Sequence, residues 1–241
     1  MKLTDFQALT FDVYGTLIDW ETGMVNALKP LTDRVPHPLT RDQILEAHAR
    51  HESTQQRQAP HQHYQSLLAT VYRRLAEGWG VAVSWSECLA YGRSVRDWPA
   101  FPDSADALQY LKQHFKLVVL SNVDNDSFSH SNAKLAVEFD AVYTAEDMGS
   151  YKPSDRNFEY LLATIGDIGI HKHQILHTAE SLFHDMEPAN RHGLTCCHIY
   201  RRHDQQGFGA TMNPATRPIC QFRFNSMAEL AGAVRAELTA G

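Results

Sequence analysis

Residues 8–17 read ALTFDVYGTL: a short apolar run leads straight into Asp12, then into a turn built on Gly15 and Thr16. An apolar stretch of this length, ended by a carboxylate and a glycine, predicts a buried strand that delivers Asp12 to a crevice at its carboxyl end. Working outward, apolar runs recur at 117–120, 141–144, 175–178 and 195–200, separated by segments of helical period. Alternating strands and amphipathic helices predict an α/β fold, a doubly wound, mostly parallel, Rossmann-like sheet covered on both faces. About a hundred residues separate the first strand from the second, and 23–31, 41–52, 64–79 and 85–95 within them carry helical patterns. The organisation expected is therefore a core domain made of residues 1–17 and 98–241, with a helical cap domain over 18–97 inserted after the first strand. Its two linkers, the stretch after Thr16 and the proline-bearing DWPAFPD at 97–103, suit a hinged lid. The polar stretch STQQRQAPHQH at 53–63 is expected to be a loop between cap helices.

Composition narrows the function. At 241 residues the chain has length for one core domain plus an insertion, and 43% hydrophobic with 21% charged residues excludes a disordered chain. A net charge of -6 gives no basic field to gather nucleic acid, so a small-molecule substrate is the partner expected. No leader-like pattern and no long apolar run stands in the sequence, from which a cytoplasmic protein without membrane contact is expected. Cys88, Cys196, Cys197 and Cys220 form no CxxC pair and are read as reduced thiols. The pairs His61/His63 and His171/His173 sit in polar segments without a third ligand and are read as surface histidines.

In an open parallel sheet, ligands bind beyond the carboxyl ends of the strands. Those ends carry Asp12, then Ser121 and Asn122 in VVLSNVD, then Lys152 in GSYKP, then Glu180 and Asp185 in HTAESLFHD. Any one of them is ordinary turn or capping chemistry. Together they place a carboxylate, two short polar groups, a lysine and two further acids around one crevice.

The motifs DVYGTL, SN after an apolar strand, YKP and the final acidic motif, in that order around a helical insertion, resemble the haloacid dehalogenase superfamily over nearly the whole chain. The resemblance implies that Asp12 attacks substrate covalently, that Ser121 and Asn122 hold substrate oxygens, and that Lys152 keeps Asp12 ionised. Phosphatases of that superfamily place a second aspartate two residues after the nucleophile. Here Tyr14 stands there, and a phenol with an ordinary pKa near 10 is a poor general acid. The DxYGT form resembles instead the branch acting at carbon, the 2-haloacid dehalogenases and the azetidine-2-carboxylate hydrolases. GTLIDWETG, NAKLAVEFD, GSYKP, HTAES, IYRRH and FRFNSM are similar to the latter. Halide, or the already protonated nitrogen of a strained ring, leaves without a general acid.

Charge separates those two. Asp12, Glu180 and Asp185 against Lys152 favour a substrate carrying an ammonium over a bare haloacid anion. The arginine that dehalogenases carry on a cap helix is absent from ILEAHARHES, where Ala47 rather than Arg50 takes its position. Their Ser-x-Asn ahead of the last aspartate is replaced by Glu180, Ser181 and Leu182. The reading is thus ring-opening hydrolysis of L-azetidine-2-carboxylate to 2-hydroxy-4-aminobutanoate through an aspartyl ester. Asp12, Lys152, Asp185, Glu180 and His184 are its catalytic candidates, and Tyr14, Thr16, Trp20, Ser121 and Asn122 its substrate-binding candidates. His48 and Glu52, four apart on a cap helix, are either a solvated pair or an acid aimed at the substrate ammonium. The alternatives are an (S)-2-haloacid dehalogenase, a small-molecule phosphatase with Mg²⁺ at Asp12, Glu180 and Asp185, and a binding protein that kept the fold. No cofactor or metal is expected for attack at carbon, and a homodimer is implied by the resemblance alone.

Overall fold

A computed structural model describes residues 1–240. Six parallel strands, β1 (Ala8–Phe11), β2 (Lys116–Ser121), β3 (Ala141–Thr144), β4 (Ile175–Ala179), β5 (Thr195–Ile199) and β6 (Phe222–Phe224), form one sheet in the order β3-β2-β1-β4-β5-β6. The chain builds outward from β1 in one direction through β3, then returns to β1's other side with β4. Asp12, one residue beyond β1, therefore sits where the strand order reverses, the place at which an open α/β sheet leaves a crevice. β1, β4 and most of β2 are buried throughout, as a sheet covered on both faces requires. β6 and the C-terminal helix lie beyond the last strand foreseen from sequence.

Between β1 and β2 come α1 (Trp20–Thr32), α2 (Arg41–Gln58), α3 (Tyr64–Gly78) and α4 (Trp85–Arg93), then α5 (Ser104–Leu111). Around the sheet stand α6 (Asn125–Leu135), α7 (Ala145–Met148), α8 (Asp155–Thr164), α9 (Glu187–Arg191) and α10 (Met227–Ala240). Capping boxes fix two of the inserted helices, Thr40 with Gln43 at α2 and Ser84 with Glu87 at α4. α3 and α4 cross so closely that a methyl on Gly92 would stand 2.1 Å from the Gln65 carbonyl oxygen. No described helix is long and apolar enough to cross a membrane.

The two linkers run side by side. Asp19 N–H donates to Pro99 O (2.8 Å) and Phe101 N–H to Leu17 O (3.0 Å), with an antiparallel bridge between Ile18 and Ala100. One expectation is corrected here: 53–63 is not a loop throughout, because α2 runs on to Gln58. Its last turns bury Ser53, Gln55 and Gln56 beneath the inserted layer, which compensates for the absence of an apolar period. Cys88, Cys196 and Cys197 are buried free thiols and Cys220 is partly buried, while His61, His63, His171 and His173 are exposed.

Candidate active site

The strand ends converge on a small cavity of about 20 Å³, lined from the sheet side by Asp12, Asn122, Lys152, Ser181, His184 and Asp185. Tyr14 and Trp20 form its wall, and Glu52, Gln56 and Tyr64 come down from α2 and α3. A space of that size holds about one water, so the inserted helices are closed over it and a small acid reaches Asp12 only when they lift.

Lys152 is the centre of the arrangement. Its ammonium, 1% exposed, donates to Asp12 Oδ1 (2.9 Å), Asp185 Oδ1 (2.7 Å) and Leu120 O (2.8 Å), so all three hydrogens are used. The Asn122 amide holds the lysine backbone from both sides: Nδ2 donates to Lys152 O (3.0 Å) and Oδ1 accepts from Lys152 N–H (2.6 Å). Asn122 is thereby tied chiefly to lysine, leaving one amide hydrogen for a substrate oxygen. Asp12 Oδ2 accepts from the Thr16 hydroxyl (2.8 Å), and that hydroxyl accepts from Glu180 N–H (2.9 Å). Thr16 thus fixes the nucleophile candidate's rotamer rather than facing substrate.

Burial pushes the Asp12 carboxyl up, with the neighbouring Asp185 charge adding to this, while Lys152 and Thr16 pull it back. Burial acts the same way on Asp185, but Lys152 and His177 outweigh it and hold that carboxyl below the ordinary range. Burial alone disfavours the Lys152 ammonium, yet the two carboxylates raise its pKa, so the cation persists. Asp185 Oδ2, fully buried, has no hydrogen-bond partner among the described residues and is the open acceptor of the site.

Tyr14 turns its hydroxyl away from Asp12, to Ser131 Oγ (2.7 Å) and Ser127 O (3.3 Å), and burial raises its pKa. The Trp20 indole lies over Gly15, where φ is +98° and a methyl would stand 2.9 Å from Nε1. Glycine there serves both the turn and the close approach of the ring. His184 Nδ1 lies 3.2 Å from Ser181 Oγ, and burial lowers its pKa to about 4, leaving a neutral imidazole at pH 7.

Three expectations are corrected. Glu180 does not line the cavity with Asp12; its side chain faces a separate space of about 550 Å³ with Arg202, Arg217 and Arg223, and burial beside Glu21 and Asp12 raises its pKa to about 8. Its hydrogen-bond link to the nucleophile candidate runs through its backbone N–H and Thr16. Ser121 is buried, with a hydroxyl that has no partner, and does not line the cavity. His48 and Glu52 are not a solvated pair: they are 0% and 5% exposed, and Glu52 lines the cavity, whereas Ala47 and Arg50 do not.

Sequence reasoning passed over two further supports. His177, a lone histidine inside the apolar strand ILHTA, bridges Asp185 Oδ1 (Nε2, 3.1 Å) and Thr10 Oγ1 (Nδ1, 2.8 Å). Arg201 grips Thr16 O with Nε (3.0 Å) and Nη2 (2.9 Å) while Nη1 pairs with Asp103 (2.8 Å), fastening the turn after β1 to the core. Arginine in IYRRH carried no signal of that reach.

A divalent cation does not fit this donor set as it stands. The ammonium of Lys152 already occupies Oδ1 of both Asp12 and Asp185, and Glu180 does not line their cavity, so the three acids do not converge on one cation position. Among the described residues no group of three His, Cys, Asp or Glu could hold a metal ion.

The fold is similar to that of the L-2-haloacid dehalogenase of Xanthobacter autotrophicus, at 18% identity over 95% of this chain and 98% of that one, with a TM-score of 0.76. It is similar as well to a haloacid-dehalogenase-type hydrolase of Bacillus subtilis solved with magnesium, at 20% identity over 95% and 99% of the chains and a TM-score of 0.71. The Xanthobacter enzyme with chloropropionic acid covalently bound gives 18% identity over 95% and 98% and a TM-score of 0.74. No curated protein matches the chain. The sequence profile of the haloacid dehalogenase-like hydrolases matches residues 6–193, and the chain belongs to that family.

Proposed function

We propose that the chain hydrolyses a small 2-substituted carboxylic acid by displacement at C2, with Asp12 as nucleophile, and that the substrate is a cyclic amino acid of the L-azetidine-2-carboxylate kind. The observation that carries the displacement is the lock of Asp12 and Asp185 on one buried ammonium, beside a tyrosine whose hydroxyl is turned away. That arrangement keeps a carboxylate ionised and offers no proton to a leaving alcohol, which suits a leaving group that departs without one.

In the first step an Asp12 oxygen attacks C2 from the face opposite the C–N bond. An ester bond forms, the C–N bond breaks, and the ring nitrogen, protonated beforehand, keeps the electron pair and becomes a neutral primary amine. Turn N–H groups after β1 and β2, with the spare Asn122 amide hydrogen, receive the substrate carboxylate. In the second step Asp185 Oδ2 orients a water onto the ester carbonyl carbon of Asp12. Neutral His184 accepts one proton of the attacking water; the tetrahedral adduct collapses with cleavage of the acyl C–O bond, that proton passes to the departing alkoxide, and the second water proton, left on the Asp12 carboxyl, goes to the freed amine. The products are 2-hydroxy-4-aminobutanoate and Asp12 restored. Closure over the cavity keeps other water from the ester until attack is aligned.

The dehalogenase reading has its own support in the family and in the covalent chloropropionate of the Xanthobacter enzyme. Purified protein incubated in EDTA with L-azetidine-2-carboxylate and, in parallel, with (S)-2-chloropropionate separates them. The proposal expects ring-opened product, no chloride, and no ring opening with Asp12→Asn. Chloride alone assigns a dehalogenase. Silence on both, with turnover of a phosphoester in Mg²⁺, overturns displacement at carbon.

A further inference from the structure

We infer that Glu52, presented by the inserted helical layer, is the anchor for a positively charged group on the substrate, and so sets the substrate class. The inference rests on the reading of Asp12 as a nucleophile at C2 and deepens it.

Attack in line puts the leaving group on the side of C2 away from Asp12. Asp12 belongs to the sheet, so that side is the one closed by α2 and α3. The group these helices bring is a carboxylate: Glu52 Oε1 accepts from Tyr64 Oη (2.9 Å) and Gln56 Nε2 (3.3 Å), and both donors also line the cavity. Oε2 lies 3.4 Å from His48 Nδ1, which makes no hydrogen bond although the ring is fully buried. His48 Nε2 in turn meets the Tyr91 hydroxyl at 2.7 Å. With Tyr91 donating to Nε2, Nδ1 is the ring nitrogen left to face the glutamate. Burial keeps the phenols of Tyr64 and Tyr91 protonated, so Tyr64 remains a donor to the carboxylate and Tyr91 stays beside His48. Two hydrogen bonds hold this buried glutamate in position.

The charges of the cavity agree. Asp12, Glu52 and Asp185 are balanced only by Lys152, whose three hydrogens are all engaged, and His184 is neutral. Among the described residues no free cation lines the cavity to receive a halide or a second anion, while Asp185 Oδ2 has no donor and Glu52 Oε2 has only His48 Nδ1 nearby, at 3.4 Å. An ammonium in the ring of an amino acid supplies that missing donor on the leaving-group side, and a carbon–halogen bond does not. Removing one charged hydrogen bond of this kind lowers affinity about ten- to hundredfold.

The test is binding of L-azetidine-2-carboxylate and of (S)-2-chloropropionate to Asp12→Asn protein, with and without Glu52→Gln, by calorimetry, with turnover by the wild type measured separately. Glutamine keeps the shape and an oxygen for Tyr64. The expected result is a ten- to hundredfold loss of affinity for the amino acid in the Glu52→Gln form, with the haloacid unchanged or tighter, and partial recovery in Glu52→Asp. An equal effect on both ligands, no effect on the amino acid, or no binding of the amino acid before the substitution overturns the inference. Amino-acid binding that depends on Glu52 without turnover by the wild type leaves the anchor standing and overturns the proposed reaction. Chloride release with no affinity for the amino acid overturns the anchor and the amino-acid substrate, and leaves only displacement at C2 by Asp12 standing.

Discussion

Replacing Lys152 by methionine removes the one cation shared by two buried carboxylates while keeping the volume of the stem. In the wild type its ammonium lies 2.9 Å from Asp12, 2.7 Å from Asp185 and 2.8 Å from Leu120 O, and the two acids are 6% and 0% exposed. Without it two carboxylates remain in a dry site, each supported only by a hydroxyl or an imidazole. Breaking a buried pair from one side costs about 3–5 kcal/mol, and at about 2–4 °C per kcal/mol for a chain of this size the melting temperature falls by roughly 6–20 °C at pH 7. The sign of the pH dependence follows. Asp185, held low in the wild type, contributes stability above its unfolded pKa that is lost as pH falls. In the variant both carboxyls move up, so protonation removes the penalty as pH falls and the gap between the two proteins narrows towards pH ~4. Thermal unfolding of Lys152→Met, alone and with Asp185→Asn, across that range reads this directly, and the double variant should recover part of the loss. A drop below about 2 °C at pH 7, or one that is the same throughout, refutes the shared-cation account.

Other consequences concern the surroundings of the site. Glu180, with a pKa raised to about 8, is protonated in the fold where an unfolded glutamate is not, so wild-type stability falls as pH rises from about 4.5 to 8; Glu180→Gln should unfold at higher temperature than wild type at the alkaline end and match it at the acid end. His177→Leu strips a donor from Asp185 and a partner from the Thr10 hydroxyl, and an orphaned buried group costs about 1–3 kcal/mol; urea titration should show that loss, and turnover should fall because Asp185 is no longer held by two donors. Gly92→Ala forces α3 from α4 at a backbone carbonyl that cannot swing aside, and overpacking of this kind costs about 1–3 kcal/mol; calorimetry checks it.

Much of this was legible in the chain because strand ends are marked by abrupt changes of chemistry. Asp12 and Asn122 directly follow apolar strands, Lys152 and Asp185 come eight and six residues beyond theirs, and all four line one cavity. Glu180 misled for a local reason. It follows β4 directly, but its N–H is tied to Thr16 and it lines the neighbouring space rather than the cavity of Asp12, where the wide π-type turn over Leu182–Met186 returns Asp185 instead. The inserted helices were the harder part. α2 ends in STQQRQ, polar throughout, yet its buried face meets a polar site rather than an apolar core, so the usual period is missing where function replaces it. Glu52 was visible as one of a pair with His48, but a charged pair four apart on a helix is ordinarily solvated. Its burial depends on α3 and α4 supplying Tyr64 and Tyr91, contacts that no local pattern announces.

The central claim is that Asp12 forms the ester and that water cleaves it at the aspartyl carbonyl. A single turnover of L-azetidine-2-carboxylate with excess enzyme in heavy-oxygen water, followed by mass spectrometry of the peptide carrying Asp12 and of the product, tests this most directly. The account predicts heavy oxygen in the Asp12 carboxylate and ordinary oxygen in the hydroxyl of the first product. Heavy oxygen in that hydroxyl with Asp12 unlabelled would mean that water attacks C2 itself, and would contradict it.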